Sequence, residues 1–232
     1  MSSWSDSLSN SMDNILNINW DSRNGSVVPE AANVKIKDGA VRIEAAFLYA
    51  DLAGSSKLSK LCPWQTTAKI IRAYLDCCTR SIRVHQGHIR SFDGDRVMGI
   101  FIGQTPCTDA IMCAREIDWM VHNKLNPKAK SKFRSIENNG IKIKHCIGID
   151  YGEVHAVRAG IRDSNDLIWI GKPSSFAAKL SDIRSYPNEV YISAKCYNKG
   201  VGDDKKNLWT RDTTPFAGES YYVYKTSTPL EP

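Results

Sequence analysis

Apolar residues recur along the chain with two periods, and each change of period marks an element. From Arg42 to Leu52, Ile43, Ala45, Phe47 and Tyr49 alternate with Ala46, Leu48 and Ala50. Apolar character on both parities predicts a central strand buried on both faces. The strand ends in the turn Asp51-Leu52-Ala53-Gly54-Ser55-Ser56. Trp64 to His85 switches to helical spacing, with Ile70, Ile71, Tyr74, Leu75, Cys78 and Ile82 on one stripe and Pro63 just ahead. His88 to Phe92 and Arg96 to Ile102 predict two strands around Asp93-Gly94-Asp95, a hairpin with carboxylates at its tip.

The helical period returns from Thr105 to Leu125, with Ala110, Ile111, Ala114, Ile117, Met120 and Val121 on one side. Lys124 to Lys144 is basic, contains Asn126-Pro127 and Asn138-Asn139-Gly140, and reads mostly as connection. Ile141 to Tyr151 and Glu153 to Gly160 read as strands joined in a hairpin at Gly152. A short strand follows at Asp166 to Ile170, then a helix from Pro173 to Ile183, then strands at Glu189 to Ser193 and Ser220 to Lys225. The order strand, helix, hairpin, helix, strand predicts an α+β fold: a ferredoxin-like βαββαβ core with a C-terminal α/β extension. Residues 1–40 lack a long apolar period and are expected to form an irregular or mobile N-terminal arm. Residues 41–226 would be the one folded domain, and 227–232, with two prolines, a fraying tail.

At 232 residues, with 42% hydrophobic and 24% charged residues, the chain has room for one sizeable core and is neither collagen-like nor disordered. No apolar run approaches the roughly 20 residues that span a bilayer, and no signal peptide opens the chain, so no membrane association is expected. Seven cysteines without a C-x-x-C pair suggest neither a disulfide framework nor a zinc site, and point to the reducing cytoplasm. A net charge of +6 admits a polyanionic partner, from a nucleotide to a nucleic acid. The lysines from Lys124 to Lys144 have Phe133 as their one interleaved aromatic, so they read as a solvated loop and no stable nucleic-acid partner is expected.

Two carboxylates stand out by position: Asp51 at the exit of the buried first strand and Asp95 at the tip of the next hairpin. In a βαββ core these strands are neighbours, so the two carboxylates would come within bridging distance of one or two divalent cations. Such an all-oxygen site suits Mg²⁺ or Mn²⁺ and the two-metal logic of phosphoryl transfer. Ala53, Gly54 and Ser55 offer free backbone N–H groups for a phosphate cradle. Asp93 reads as a turn residue, and His88 and His145 as core-edge histidines.

These segments together resemble the universal, or class III, nucleotidyl cyclases. Phe47 to Ser55 is similar to the family's first metal motif, and Gly87 to Phe101 to its second, built on G-D-x-x-[ML]-[AG]-x-F. Ile143 to Gly152 resembles its [RK]-x-G-I-x-x-G hairpin, and Ile168 to Leu180 its V-I-G-x-x-V-N-x-A-[AS]-R-L helix entry. The resemblance implies conversion of a nucleoside triphosphate to a 3′,5′-cyclic monophosphate and pyrophosphate in a head-to-tail homodimer with two shared sites. Asp51, Asp95 and the Leu52 carbonyl would hold two metals from one protomer.

Departures from the family pattern concern the substrate. The adenylate cyclases' base-reading Lys aligns with Ser91 and their second base-reading position with Ile168, which cannot hydrogen-bond an adenine amino group. The ribose-orienting Asn aligns with Ser175 and the transition-state Arg with Lys179, which keeps the charge without the planar fork. The C-terminal phosphate-gripping Lys is missing near Pro215-Phe216-Ala217. Tyr49, Arg96 and the N-terminal arm resemble the bacterial pyrimidine cyclases of the Pycsar anti-phage system, which make cyclic UMP or cyclic CMP for a separate effector. That resemblance implies UTP or CTP as substrate, with Tyr49 narrowing the base pocket against purines and Arg96 or Ser91 reading the pyrimidine edge. The competing expectation is a non-catalytic cyclase-fold module that binds a nucleotide or RNA.

Overall fold

A computed structural model describes residues 3–232. In chain order its elements are α1 (Trp4–Leu16), β1 (Asp21–Asn24), β2 (Gly39–Ala53), α2 (Ser55–Leu61), α3 (Trp64–Val84), β3 (His88–Asp93), β4 (Arg96–Phe101) and α4 (Pro106–Met120). After a π-helical turn at Val121–Leu125 come α5 (Asn126–Lys132), α6 (Arg134–Asn138), β5 (Lys144–Ile161), β6 (Ser164–Ile170), α7 (Lys172–Ser181), β7 (Val190–Ser193), α8 (Ala194–Gly200), β8 (Thr210–Phe216) and β9 (Glu219–Thr226). The chain folds as two compact units: one runs to Ile43 and includes Glu153–Gly171, and the other comprises Glu44–Gly152 and Lys172–Pro232.

In the larger unit the strand order β3-β4-β2-β5 is the ferredoxin-like arrangement expected from the motif order. β7, β9 and β8 extend the sheet beyond β5, with β7 parallel to β5 and the remainder of the extension antiparallel. Helix α3 turns Ile70, Tyr74, Cys78 and Ile82 inward at four-residue spacing. They join Ala46, Leu48, Ala50 and Leu52 of β2 and Ala110, Ala114 and Ile117 of α4 in the main core. Burial of each large side chain there contributes about 1.5–3 kcal/mol. Successive strand residues face opposite sides, so Tyr49 and Asp51 point away from this core. A smaller apolar cluster places Phe176 and Leu180 of α7 against Cys146, Tyr191 and Val223.

In the smaller unit β1 pairs in parallel with the first residues of β2, and β6 pairs antiparallel with the last residues of β5. The arm expected to be irregular contains the 13-residue helix α1. Ser3 starts it with a capping box: its Oγ accepts from the Asp6 N–H at 3.1 Å, and its own N–H donates to the Asp6 carboxylate at 2.9 Å. That reciprocal pair satisfies two of the orphan donors of a first turn.

Three other expectations are corrected, and two elements were not foreseen. Ile141 to Gly160 is not a hairpin at Gly152, because β5 runs through that residue without reversing. The reversal comes at Arg162-Asp163, between the paired Ile161 and Ser164, where Asp163 takes φ 66°. The basic connection at 124–144 is largely helical, with α5 following directly from the π-helical turn through Leu125 and Asn126 in helical geometry. Strand β8 and helix α8 had no predicted counterpart. The C-terminal tail does not fray: Leu230 donates its N–H to the Arg115 carbonyl, and Arg115 Nε donates to the Thr228 carbonyl at 2.9 Å.

Candidate functional site

Strand register brings most of the candidate residues to one face of the larger unit. Ser91 of β3 and Tyr49 of β2 both pair with Met98 of β4, so the three form one row across three strands. Two pairs further along, Arg96 lies between Asp93 and Asp51. The Arg96 guanidinium donates to the Asp93 carboxylate at 3.0 Å and lies 5.6 Å from the centre of the Tyr49 ring. The Tyr49 hydroxyl is 3.2 Å from the hydroxyl of Ser174 on α7, and burial raises the phenol's pKa.

Asp51 is buried at the end of β2, and Asp95 is half-buried in the turn immediately before Arg96. Neighbouring strands lie about 4.8 Å apart, so the register sets both carboxylates at one edge. Burial raises the pKa of Asp51, Arg184 pulls it back through a charged hydrogen bond, and the charge of Asp95 adds to the rise. One Asp95 oxygen, Oδ2, is buried without a hydrogen-bond partner. A buried carboxylate oxygen of that kind is costly unless a cation or donor meets it. Together with Asp51 it forms an all-oxygen donor set that fits Mg²⁺ or Mn²⁺.

Beyond Asp51 the chain turns through Ala53 and Gly54 into α2, whose first residue is Ser55. Gly54 adopts φ 75° and has open space where a Cβ would point, so this turn leaves its backbone accessible. It opens onto a cavity of about 420 Å³ lined by Gly54, Lys57, Lys142, Lys144, Arg184 and Tyr186 among others. Lys57, Lys142 and Arg184 were not singled out from the sequence. They belong to loops and helix ends with no periodic signal, and only folding gathers their charges beside Asp51. Ser174 and Met98 were overlooked although both fall inside quoted motifs.

Ser175 and Lys179 lie one helical turn apart on the exposed face of α7, whereas Ser174 faces inward to Tyr49. Ile168 belongs to the smaller unit, where it is exposed on β6.

A second group of titratable side chains sits where α4 ends. Asp118 and Glu189 are buried, His145 is fully buried, and His122 projects from the π-helical turn. Burial lifts the Asp118 carboxyl to about 6 and lowers His145 to about 3. The Glu189 carboxylate beside His122 holds that imidazole above its usual pKa. Among the described residues no helix is long and apolar enough to cross a membrane.

No family model matches the chain. It is 38% identical over 228 residues to a uridylate cyclase of Rhodovulum sp. (strain MB263), covering 96% of this chain and 95% of that protein. It is 33% identical to a uridylate cyclase of Xanthomonas perforans (90% of each chain) and 34% identical to one of Burkholderia cepacia (78% of this chain, 77% of that protein). Among solved structures the fold is similar to the guanylyl cyclase Cya2, with a TM-score of 0.69 at 18% identity over 82% of this chain and 95% of that one. It is also similar to a bacterial light-regulated adenylyl cyclase, with a TM-score of 0.70 at 20% identity over 84% of this chain and 54% of that one. With the class III cyclase fold and this identity along nearly its whole length, the chain is an enzymatic nucleotide cyclase and belongs to the uridylate cyclase family.

Proposed function

We propose that this cyclase converts UTP, or CTP, to 3′,5′-cyclic UMP, or cyclic CMP, and pyrophosphate. The observation that carries this reading is the pair Asp51 and Asp95 at one sheet edge, with a buried Asp95 oxygen that lacks a hydrogen-bond partner. Asp51, Asp95 and the Leu52 carbonyl would hold two Mg²⁺ or Mn²⁺ ions, which supply acidification of the ribose 3′-hydroxyl and neutralisation of phosphate charge. The 3′-oxygen then bonds to the α-phosphorus as the bond to pyrophosphate breaks.

The protein's own groups position the rest of the substrate. Ala53, Gly54 and Ser55 present backbone N–H groups to the phosphates, and Lys57, Lys142 and Lys144 surround the adjoining cavity with positive charge. Arg184, paired with Asp51 in this structure, is placed to transfer its fork to a phosphate when Asp51 takes a metal. The base meets the row Ser91, Met98 and Tyr49, with Arg96 over the Tyr49 ring as the group that reads a pyrimidine edge. Tyr49, held by Ser174, narrows this space against a purine.

Lys179 and Ser175 act on the site of a second copy, since both lie on the outer face of α7. Ile168, exposed on β6, faces the base from that second copy as well. In this reading the enzyme is a cytoplasmic homodimer whose cyclic product signals to a separate effector in antiviral defence. The resemblance of its motifs to pyrimidine cyclases supports that role.

Purified protein incubated separately with ATP, GTP, UTP and CTP plus Mn²⁺, with products resolved by chromatography, tests the proposal. Cyclic UMP or cyclic CMP is expected, and it is lost in Asp51→Ala and Asp95→Ala. Cyclic AMP as the main product overturns the base-pocket assignment. No cyclic product from any triphosphate overturns catalysis at this site and leaves the nucleotide-binding module.

A further inference from the structure

The buried group at the end of α4 has the dimensions of a metal site, separate from the pair Asp51 and Asp95. His122 Nε2 lies 3.5 Å from Asp118 Oδ1 and 3.3 Å from Glu189 Oε1, and His145 Nε2 lies 3.5 Å from the same Asp118 oxygen. The donor atoms of Asp118, His122 and Glu189 all fall within 4.8 Å of one another. Ligands at about 2.05 Å from a tetrahedral zinc ion are separated by about 3.3 Å along each edge. An octahedral magnesium shell has edges of about 3.0 Å, and Mg²⁺ takes imidazole poorly.

The polar atoms point inward without being satisfied. Asp118 Oδ1, Glu189 Oε2, His122 Nε2 and both ring nitrogens of His145 are buried and lack hydrogen-bond partners. Asp118 is 1% exposed, Glu189 4% and His145 0%, so water does not reach these carboxylates and this ring to compensate. Each such orphaned group costs about 1–3 kcal/mol unless something meets it. His122 comes from the π-helical turn and stands four residues after Asp118, on the same helical face. Such turns concentrate at functional positions. The His122 side chain is 28% exposed, which provides an entry path.

We propose that Asp118, His122 and Glu189 bind one Zn²⁺-class ion, with water as the fourth donor and His145 beside the Asp118 carboxylate. The ion staples the C-terminal end of α4 to the residue immediately before β7. Glu189 closes the same loop that carries Arg184, so the staple anchors the Arg184 loop at its far end.

The test uses the full chain, stripped of metal by a chelator and titrated with Co²⁺. Visible absorption distinguishes tetrahedral from octahedral Co²⁺, and thermal melts with Zn²⁺ follow the same event. One equivalent of tetrahedral Co²⁺ and a rise in Tm with Zn²⁺ are expected in the native protein and in the Asp51→Ala/Asp95→Ala double variant. His122→Ala and Glu189→Gln should lose the signal, or weaken binding by about tenfold or more. Circular dichroism of both metal-free variants checks that they are folded. Absence of tetrahedral Co²⁺ in the native protein overturns the proposal, leaving a His122 ion pair with the two carboxylates. Persistence of the signal in folded His122→Ala, or its loss only in the double variant, overturns it equally.

Discussion

Gly148 offers a quantitative test of how the sheet positions α7. It lies in β5 on the face opposite the main core, and an added Cβ would sit 2.1 Å from the Ala177 carbonyl oxygen, 2.5 Å from the Ser181 nitrogen and 2.6 Å from Leu180 Cβ. Two of these atoms are helix backbone, so no side-chain rotation relieves the contact. Restoring ordinary contact near 3.5 Å requires α7 to retreat by roughly 1.4 Å. Overpacking of this kind costs about 1–3 kcal/mol, and the backbone obstruction places Gly148→Ala at the upper end. The same retreat carries Ser174 away from Tyr49, whose hydroxyls are 3.2 Å apart, beyond hydrogen-bond reach. Ser175 and Lys179 move with it. A misplacement of about 1 Å at a reacting centre is worth about 10²-fold in rate. Urea unfolding with linear extrapolation reads the stability loss, and steady-state production of the cyclic nucleotide reads the rate. A Gly148→Ala protein within about 0.5 kcal/mol of the native stability, or with native turnover, would refute the reasoning.

Asp95→Asn should abolish cyclic nucleotide formation while leaving urea stability unchanged or higher, because the substitution removes a charge whose buried oxygen has no hydrogen-bond partner. A large stability loss would mean that the carboxylate is structural. Arg184→Ala should raise KM for the triphosphate and lower the Mn²⁺ concentration needed for half-maximal activity, since Arg184 shares Asp51 with the metal. Unchanged metal dependence would remove Arg184 from the site. Tyr49→Phe should lose about 1 kcal/mol of stability with the Ser174 hydrogen bond, whereas Tyr49→Ala should raise ATP turnover relative to UTP if the ring excludes purines. Thiol reactivity should be low in the folded protein. Cys77 is raised to about 11 and Cys146 to about 12, and all seven cysteines are free, six of them buried. Titration with a disulfide reagent near pH 8 should therefore modify at most the half-buried Cys77 before unfolding and all seven afterwards.

The order of elements and the two acidic positions were legible in the chain because each rests on a local pattern. A doubly apolar run such as Ile43 to Ala50 has to be a covered strand, a stripe such as Ile70, Tyr74, Cys78 and Ile82 has to be one helix face, and Asp-Gly between apolar runs has to reverse. These local requirements put Asp51 and Asp95 at strand ends. The reversal after β5 was misplaced at Gly152 because a glycine permits a turn without demanding one. The pairing of Ile161 with Ser164 decides where the chain reverses. Helix α1 was missed because its capping box is a short polar signal and its apolar residues stay exposed. Tertiary structure alone brought Ser174 to Tyr49, Arg184 to Asp51, and Glu189 to the i,i+4 pair Asp118 and His122. Their separations along the chain, 125 residues for the first and 133 for the second, leave no periodic trace. Local propensity determines which residues form each strand and helix, whereas the convergence of charges is set by strand order and register, which only the packed core selects.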